Sequence, residues 1–121
     1  HLVICNPKIK KLSKKTNDPK KPIGENGENH YIMEGCLSLP HFYGPVKRSQ
    51  KVEVEYQTPI KLENEQWEFE EKKEKFTGFM AQIIQHEIDH LNGKLFIDRL
   101  FEQNRSLYQL KNNEWHEVDL P

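Results

Sequence analysis

Apolar and polar residues alternate along Lys51-Val52-Glu53-Val54-Glu55-Tyr56 and again along Trp67-Glu68-Phe69-Glu70. That period of two predicts two strands, each with one solvated face, joined as a hairpin through Thr58 to Asn64. Earlier in the chain, Leu2-Val3-Ile4-Cys5 is a short apolar run that reads as a buried strand stopped by Asn6-Pro7. Residues 8–29 hold seven lysines among Asp18-Pro19, Lys21-Pro22 and Gly24 to Gly27, a pattern that predicts a solvated loop. Tyr31 to Pro40 is compact and apolar, and reads as an extended segment crossing the middle of the domain and ending at Pro40.

After Thr77 the period becomes helical, with Thr77 as N-cap and Asn92-Gly93 as the stop. Phe79 and Ile83 extend the face of His86 and His90. Met80, Ile84, Ile88 and Leu91 form a second apolar stripe, and Gln85, Asp89 and Asn92 are left as a polar strip. Such a helix is embedded, with one side on the core and one on a pocket. Leu95-Phe96-Ile97 reads as a short strand or docking segment, and Leu107 to Val118 as a final hairpin around Asn112-Asn113. No repeat or domain boundary appears, so residues 1–121 are expected to form a single domain.

The chemistry concentrates in Gln85-His86-Glu87-Ile88-Asp89-His90. Residues four apart on a helix share a face, so His86 and His90 can aim at one ion with Glu87 beside them. A bound divalent metal makes water acidic enough to attack a carbonyl, and a neighbouring carboxylate can take the proton. A catalytic metal usually has three protein ligands, and the third is open at this level of reading. A third histidine six residues beyond His90 is excluded, because Phe96 stands there. Asp98, Glu102, Glu114 and Glu117 are downstream carboxylates, and Cys36 is a thiol in a segment unusually free of charge. His30, His41 and His116 remain as spare imidazoles.

Composition narrows the setting. Eighteen Lys and Arg against 19 Asp and Glu give a net charge of -1, which offers no field for nucleic acid. A hydrophobic fraction of 35% with 31% charged residues is lean for an independent globule, so part of the core is expected from outside this chain. No apolar run approaches the roughly 18 residues that span a bilayer, and a soluble protein with reduced Cys5 and Cys36 is expected.

Glu34-Gly35-Cys36-Leu37-Ser38, followed some fifty residues on by Gln85-His86-Glu87-Ile88-Asp89-His90, resembles the second and third motifs of peptide deformylase, in that order and at about that spacing. The resemblance covers most of residues 2–100. It implies an α+β fold, a mostly antiparallel sheet around one central metal-binding helix. It also implies that Cys36, His86 and His90 bind one divalent metal, iron(II) first, with zinc, nickel or cobalt as alternatives suited to a thiolate. Glu87 would move the proton, and the backbone N–H of Leu37 would stabilise the oxyanion. Gly35 would let a peptide lie alongside, and Gln82 and Ile83 would line the pocket for a methionine side chain.

The activity so implied is hydrolysis of the N-formyl group from nascent formylmethionyl peptides, in a bacterial cytoplasm or an organelle, with transient ribosome encounters. The Gly-rich first motif of the family, which carries a second oxyanion donor, has no counterpart here, and the expectation is that an N-terminal segment of the same protein precedes this chain. Two alternatives stand beside this reading: a degenerate module that holds metal without chemistry, and a His-Glu-x-x-His metallopeptidase with an acidic third ligand.

Overall fold

The computed structural model describes residues 3–17, 33–36 and 39–119. Nine strands and two helices follow one another among these residues. In chain order they are β1 (Cys5–Leu12), β2 (Thr16–Asn17), β3 (Glu34–Cys36), β4 (Leu39–Gly44), β5 (Arg48–Ser49), β6 (Lys51–Lys61), β7 (Trp67–Thr77), α1 (Gly78–Leu91), α2 (Phe96–Glu102), β8 (Leu107–Lys111) and β9 (Glu114–Val118). They form three antiparallel sheets, ordered β1-β6-β7, β2-β5 and β3-β4-β8-β9. This is the expected α+β class, with a second helix in addition to the expected one.

Two apolar clusters organise the packing. The first joins Val52, Val54 and Tyr56 of β6 and Phe76 of β7 to Ala81, Ile84 and Ile88 of α1. The period-two face of the hairpin and the i, i+3, i+4 face of the helix therefore close on each other. The second joins Val46, Phe96, Leu100 and Leu107, with Cys36, Leu39 and Phe42 against its edge.

Several expectations need correction. The first strand starts where it was expected to end: Val3, 50% exposed, and Ile4 precede it, and Asn6-Pro7 lies within it. Asn6 takes φ 50° and the register with β6 shifts between Cys5 and Lys8, so the pair sits in a bulge and pairing resumes as far as Leu12. A bulge tolerates a proline because the ladder is already interrupted there, and Asn6 Nδ2 donates to Gln57 Oε1 at 2.9 Å. The lysine-rich stretch is accordingly part strand, up to Leu12 and again at Thr16–Asn17, while residues 18–32 lie outside the described residues. The segment ending at Pro40 does not cross the domain in one piece. It turns back on itself, with Gly35 opposite Tyr43 and Cys36 opposite Leu39, and Pro40 lies inside β4.

The hairpin of β6 and β7 is present and longer than the alternation indicates, pairing from Lys51↔Thr77 to Lys61↔Trp67. Apart from Phe76 its second strand is exposed on both faces, which is why residues 70–75 carry no apolar period. Leu95-Phe96-Ile97 is a helix start and not a strand. Asp98 Oδ2 accepts from the Leu95 N–H at 2.8 Å, and Phe96 and Leu100, one turn apart, are both fully buried. The final hairpin turns at Asn112 and Asn113, with φ of 53° and 61°, as a two-residue turn requires.

Candidate metal centre

Helix α1 carries His86, Glu87 and His90, and both of its ends are fixed locally. Thr77 occupies the N-cap position in extended geometry without a side-chain cap bond, and Gly78 follows with φ +60°, which favours glycine. At the other end Gly93 N–H donates to His90 O at 3.0 Å and Lys94 N–H to Asp89 O at 2.7 Å, with Gly93 at φ +78°. That is a Schellman closure, and it ties the last carbonyls of the histidine turn.

His86 and His90 come together as expected, their ring centroids 4.5 Å apart and tilted by 47°. His86 Nδ1 lies 2.7 Å from Glu34 Oε1. An ionised carboxylate only accepts, so Nδ1 carries the proton, and in the neutral ring Nε2 keeps its lone pair for a ligand. His90 Nε2 is buried without a hydrogen-bond partner among the described residues. A buried imidazole nitrogen left without a partner fits a metal ligand, as does an imidazole oriented by a carboxylate behind it.

Glu87 is exposed on the same helix, and Ile83 is half-buried. Gln82 is buried, its Nε2 3.5 Å from Glu34 Oε2, so it sits behind the histidine face beside the carboxylate. Cys36 is half-buried on β3, two residues beyond Glu34, against the second apolar cluster. Among the described residues no three of His, Cys, Asp and Glu are grouped as a ligand set. Leu37, expected as oxyanion donor, lies outside the described residues.

A side-chain carbon added at Gly35 would lie 2.7 Å from Tyr43 Cδ1 and 3.2 Å from Phe42 O. The crossing of the Tyr43 ring is therefore a packing reason for glycine at that position, independent of any peptide lying alongside. The alternative acidic ligands have neighbours elsewhere: Asp98 caps α2, Glu102 pairs with Lys94 and Arg99, exposed Glu114 lies 3.7 Å from His116 Nε2, and Glu117 accepts from Ser106 Oγ at 2.6 Å.

The largest departure concerns the two ends of the stripes on α1: Gln85 and Asp89 of the polar strip are buried, while Asn92 and, from the second apolar stripe, Met80 and Leu91 are exposed. Gln85 Oε1 accepts from Ser49 N–H at 3.1 Å, and its Nε2 donates to Ser49 O at 2.8 Å and Ala81 O at 2.9 Å. Asp89, a member of that polar strip, is 6% exposed and accepts from two guanidinium groups. Arg48 Nη1 reaches Asp89 Oδ2 at 2.6 Å, while Arg99 Nε and Nη2 reach Asp89 Oδ2 and Oδ1 at 2.9 and 2.7 Å. On its other side Arg48 grips Glu34, Nε to Oε2 at 2.8 Å and Nη2 to Oε1 at 2.7 Å.

Burial alone would raise the pKa of Glu34, but hydrogen bonds from Arg48 and His86, together with their charge, hold its carboxyl below the usual range. Asp89 is likewise held low, against its burial, by Arg99 and Arg48. Glu34, Arg48 and Arg99 were not singled out by sequence reasoning. One signal was available: of 18 basic residues only three are arginines, at 48, 99 and 105, and two of those make forked carboxylate pairs that lysine cannot make.

A short helix bearing two imidazoles one turn apart with a carboxylate between them, seated in an antiparallel α+β scaffold and backed by a buried carboxylate, defines the class of His-Glu-x-x-His proteins. Within that class the chain belongs to the polypeptide deformylase family, whose family model matches residues 1–106. It is 41% identical over 108 residues to a peptide deformylase of Chlorobium luteolum, an alignment covering 89% of this chain and 45% of that protein. A Thermotoga maritima peptide deformylase is 34% identical over 110 residues, 91% of this chain and 54% of its own length.

Among solved structures, a mutant of Arabidopsis thaliana peptide deformylase 1B is similar with TM-score 0.61 and 34% identity, over 84% of this chain and 44% of that one. A Met-Ala-Ser-bound deformylase from Acinetobacter baumannii gives 0.55 and 38%, over 79% and 47%. The chain thus spans about half the length of the relatives it matches.

Proposed function

We propose that the protein represented by this chain removes the N-formyl group from nascent peptides beginning with formylmethionine, releasing formate and a free N-terminus. The family is metal-dependent. The observation that carries the reading is the state of the two histidines: His86 fixed through Nδ1 by Glu34, and His90 Nε2 buried without a partner, in a chain of deformylase sequence.

His86, His90 and Cys36 would hold the ion, iron(II) first and zinc, nickel or cobalt as alternatives, in keeping with a donor set of two imidazoles and a thiolate. When bound, such an ion supplies Lewis acidity that polarises a carbonyl and favours water as a nucleophile near neutral pH. Glu87, exposed next to His86 in the sequence, would take a proton from the attacking water and deliver it to the departing amine nitrogen. The Leu37 N–H would donate to the oxygen on which negative charge develops. Gly35 offers a backbone without a side chain at the edge of the site, and Ile83, with Gln82 behind it, would meet the methionine side chain. A formylated substrate implies bacterial cytoplasm or an organelle, and passing contact with ribosomes. No helix among the described residues is long and apolar enough to cross a membrane.

The test is formate release from a formyl-Met-Ala-Ser peptide under anaerobic conditions with iron(II), for this chain and for a chain extended at its N-terminus. Glu87→Ala should keep the metal and lose turnover by about 100-fold or more. Unchanged turnover in Glu87→Ala with metal retained rejects its role as the proton carrier. Absence of formate from the metal-loaded extended chain rejects the function.

A further inference from the structure

Four charged side chains run from α2 to the histidine pair without a break. Arg99 on α2 grips both oxygens of Asp89 on α1, Asp89 Oδ2 also accepts from Arg48 on β5, Arg48 forks onto Glu34 on β3, and Glu34 Oε1 meets His86 Nδ1. We propose that Arg99 is a positioning residue for His86, acting through Asp89, Arg48 and Glu34 to hold the imidazole with Nδ1 on the carboxylate and Nε2 turned to its ligand. This deepens the metal reading above and rests on His86 being one of the ligands.

Charge and geometry point the same way. The set contains two carboxylates and two guanidinium groups, so it is neutral as a whole. Glu34 and Arg48 are each 5% exposed at the side chain and Asp89 8%, whereas Arg99 is 31% exposed, which makes it the outermost of the four, with exposed Glu102 as a further partner at 3.1 Å. Removing Arg99 leaves two buried carboxylates competing for Arg48. A buried anion that loses its partner draws on whichever cation remains, so Arg48 would shift toward Asp89 and its fork on Glu34 would open. Glu34 Oε1, shared between Arg48 Nη2 and His86 Nδ1, is where that shift reaches the imidazole. The path also links two bodies of the fold, since α1 stands on the first apolar cluster and α2 on the second.

A purely structural staple would hold α2 against α1 without touching the imidazole, so the test reads the ring directly. In the metal-free protein, nitrogen-proton correlation NMR of the His86 ring should show a single tautomer protonated at Nδ1. Arg99→Met should mix the tautomers and speed exchange of that proton with water. Loss of a ligand's immediate partner costs about 10–100-fold in metal affinity, and Arg99→Met, being more remote, should weaken cobalt(II) binding about three- to tenfold. Arg99→Lys, which restores the charge on Asp89 but not the two-nitrogen fork, should fall between wild type and Arg99→Met both in tautomer mixing and in cobalt(II) affinity.

If Arg99→Met fails to fold, Arg99→Gln against Arg99→Lys makes the same comparison. An unchanged His86 spectrum and unchanged cobalt(II) affinity in Arg99→Met or Arg99→Gln overturns the proposal, whatever happens to the melting temperature. So does a wild-type ring protonated at Nε2. A wild type that binds no cobalt(II) but shows the expected change of tautomer would sink the metal reading and leave the positioning role of Arg99 standing.

Discussion

Arg48 donates to two carboxylates at once, and at 5% exposure it has almost no water to fall back on. Truncating it strands Glu34 and Asp89, both buried, and breaking a buried pair from one side costs about 3–5 kcal/mol. Arg48→Met is therefore expected to lower the free energy of urea unfolding by about that amount, and a loss under about 1 kcal/mol would show that the two carboxylates find other partners. Gly35 illustrates a different constraint. A methyl there meets the Tyr43 ring at 2.7 Å, so Gly35→Ala should cost about 1–3 kcal/mol by overpacking. Relief of that cost in Gly35→Ala combined with Tyr43→Leu, measured in the same denaturant series, would confirm the ring as its source.

At the scale of elements, legibility followed periodicity. Helix α1 and the hairpin of β6 and β7 were readable because their buried faces repeat at 3.6 and 2 residues, and those faces meet in one cluster. Helix α2 was missed because a seven-residue helix offers only one apolar pair, Phe96 and Leu100, and that spacing fits an extended docking segment as well. The polar strip of α1 was misread for a related reason. Gln85 and Asp89 look like solvent-facing residues until Ser49 and two arginines are brought to them by β5 and α2, which no local pattern announces.

The two aromatic residues at the far end of β7 make the complementary case. Trp67 and Phe69 are 64% and 62% exposed, although their alternation with Glu68 and Glu70 looks like a buried face. Strand β1 pairs with β6 only as far as Gln57, so the hairpin runs past its third strand. Trp67→Ser should accordingly change stability by no more than about 0.5 kcal/mol. Leu100→Ala, at 0% exposure in the second cluster, should cost about 2–5 kcal/mol. Similar midpoints for the two variants in thermal or urea unfolding would contradict the division into a solvated tip and a packed core.

For the molecule as a whole, the metal reading has a thermodynamic consequence, since a ligand that binds only the folded state raises its stability with concentration. Zinc at about 100 times its dissociation constant should add about 2.7 kcal/mol, a chelator should remove it, and Glu87→Ala should respond like wild type. The resemblance located the histidines and the thiol in separate motifs, and the fold brings the histidines to within ring contact while leaving Cys36 outside any three-residue group among the described residues. Cys36 as third ligand is thus the central claim and the one most in need of a direct reading. Cobalt(II) absorption decides it: a thiolate ligand gives an intense charge-transfer band in the near ultraviolet, which imidazole and carboxylate ligands lack. With Cys36 as ligand, the cobalt-loaded protein shows that band, and Cys36→Ala loses it and binds more weakly. An identical spectrum and affinity in Cys36→Ala would contradict it and return the third position to a carboxylate.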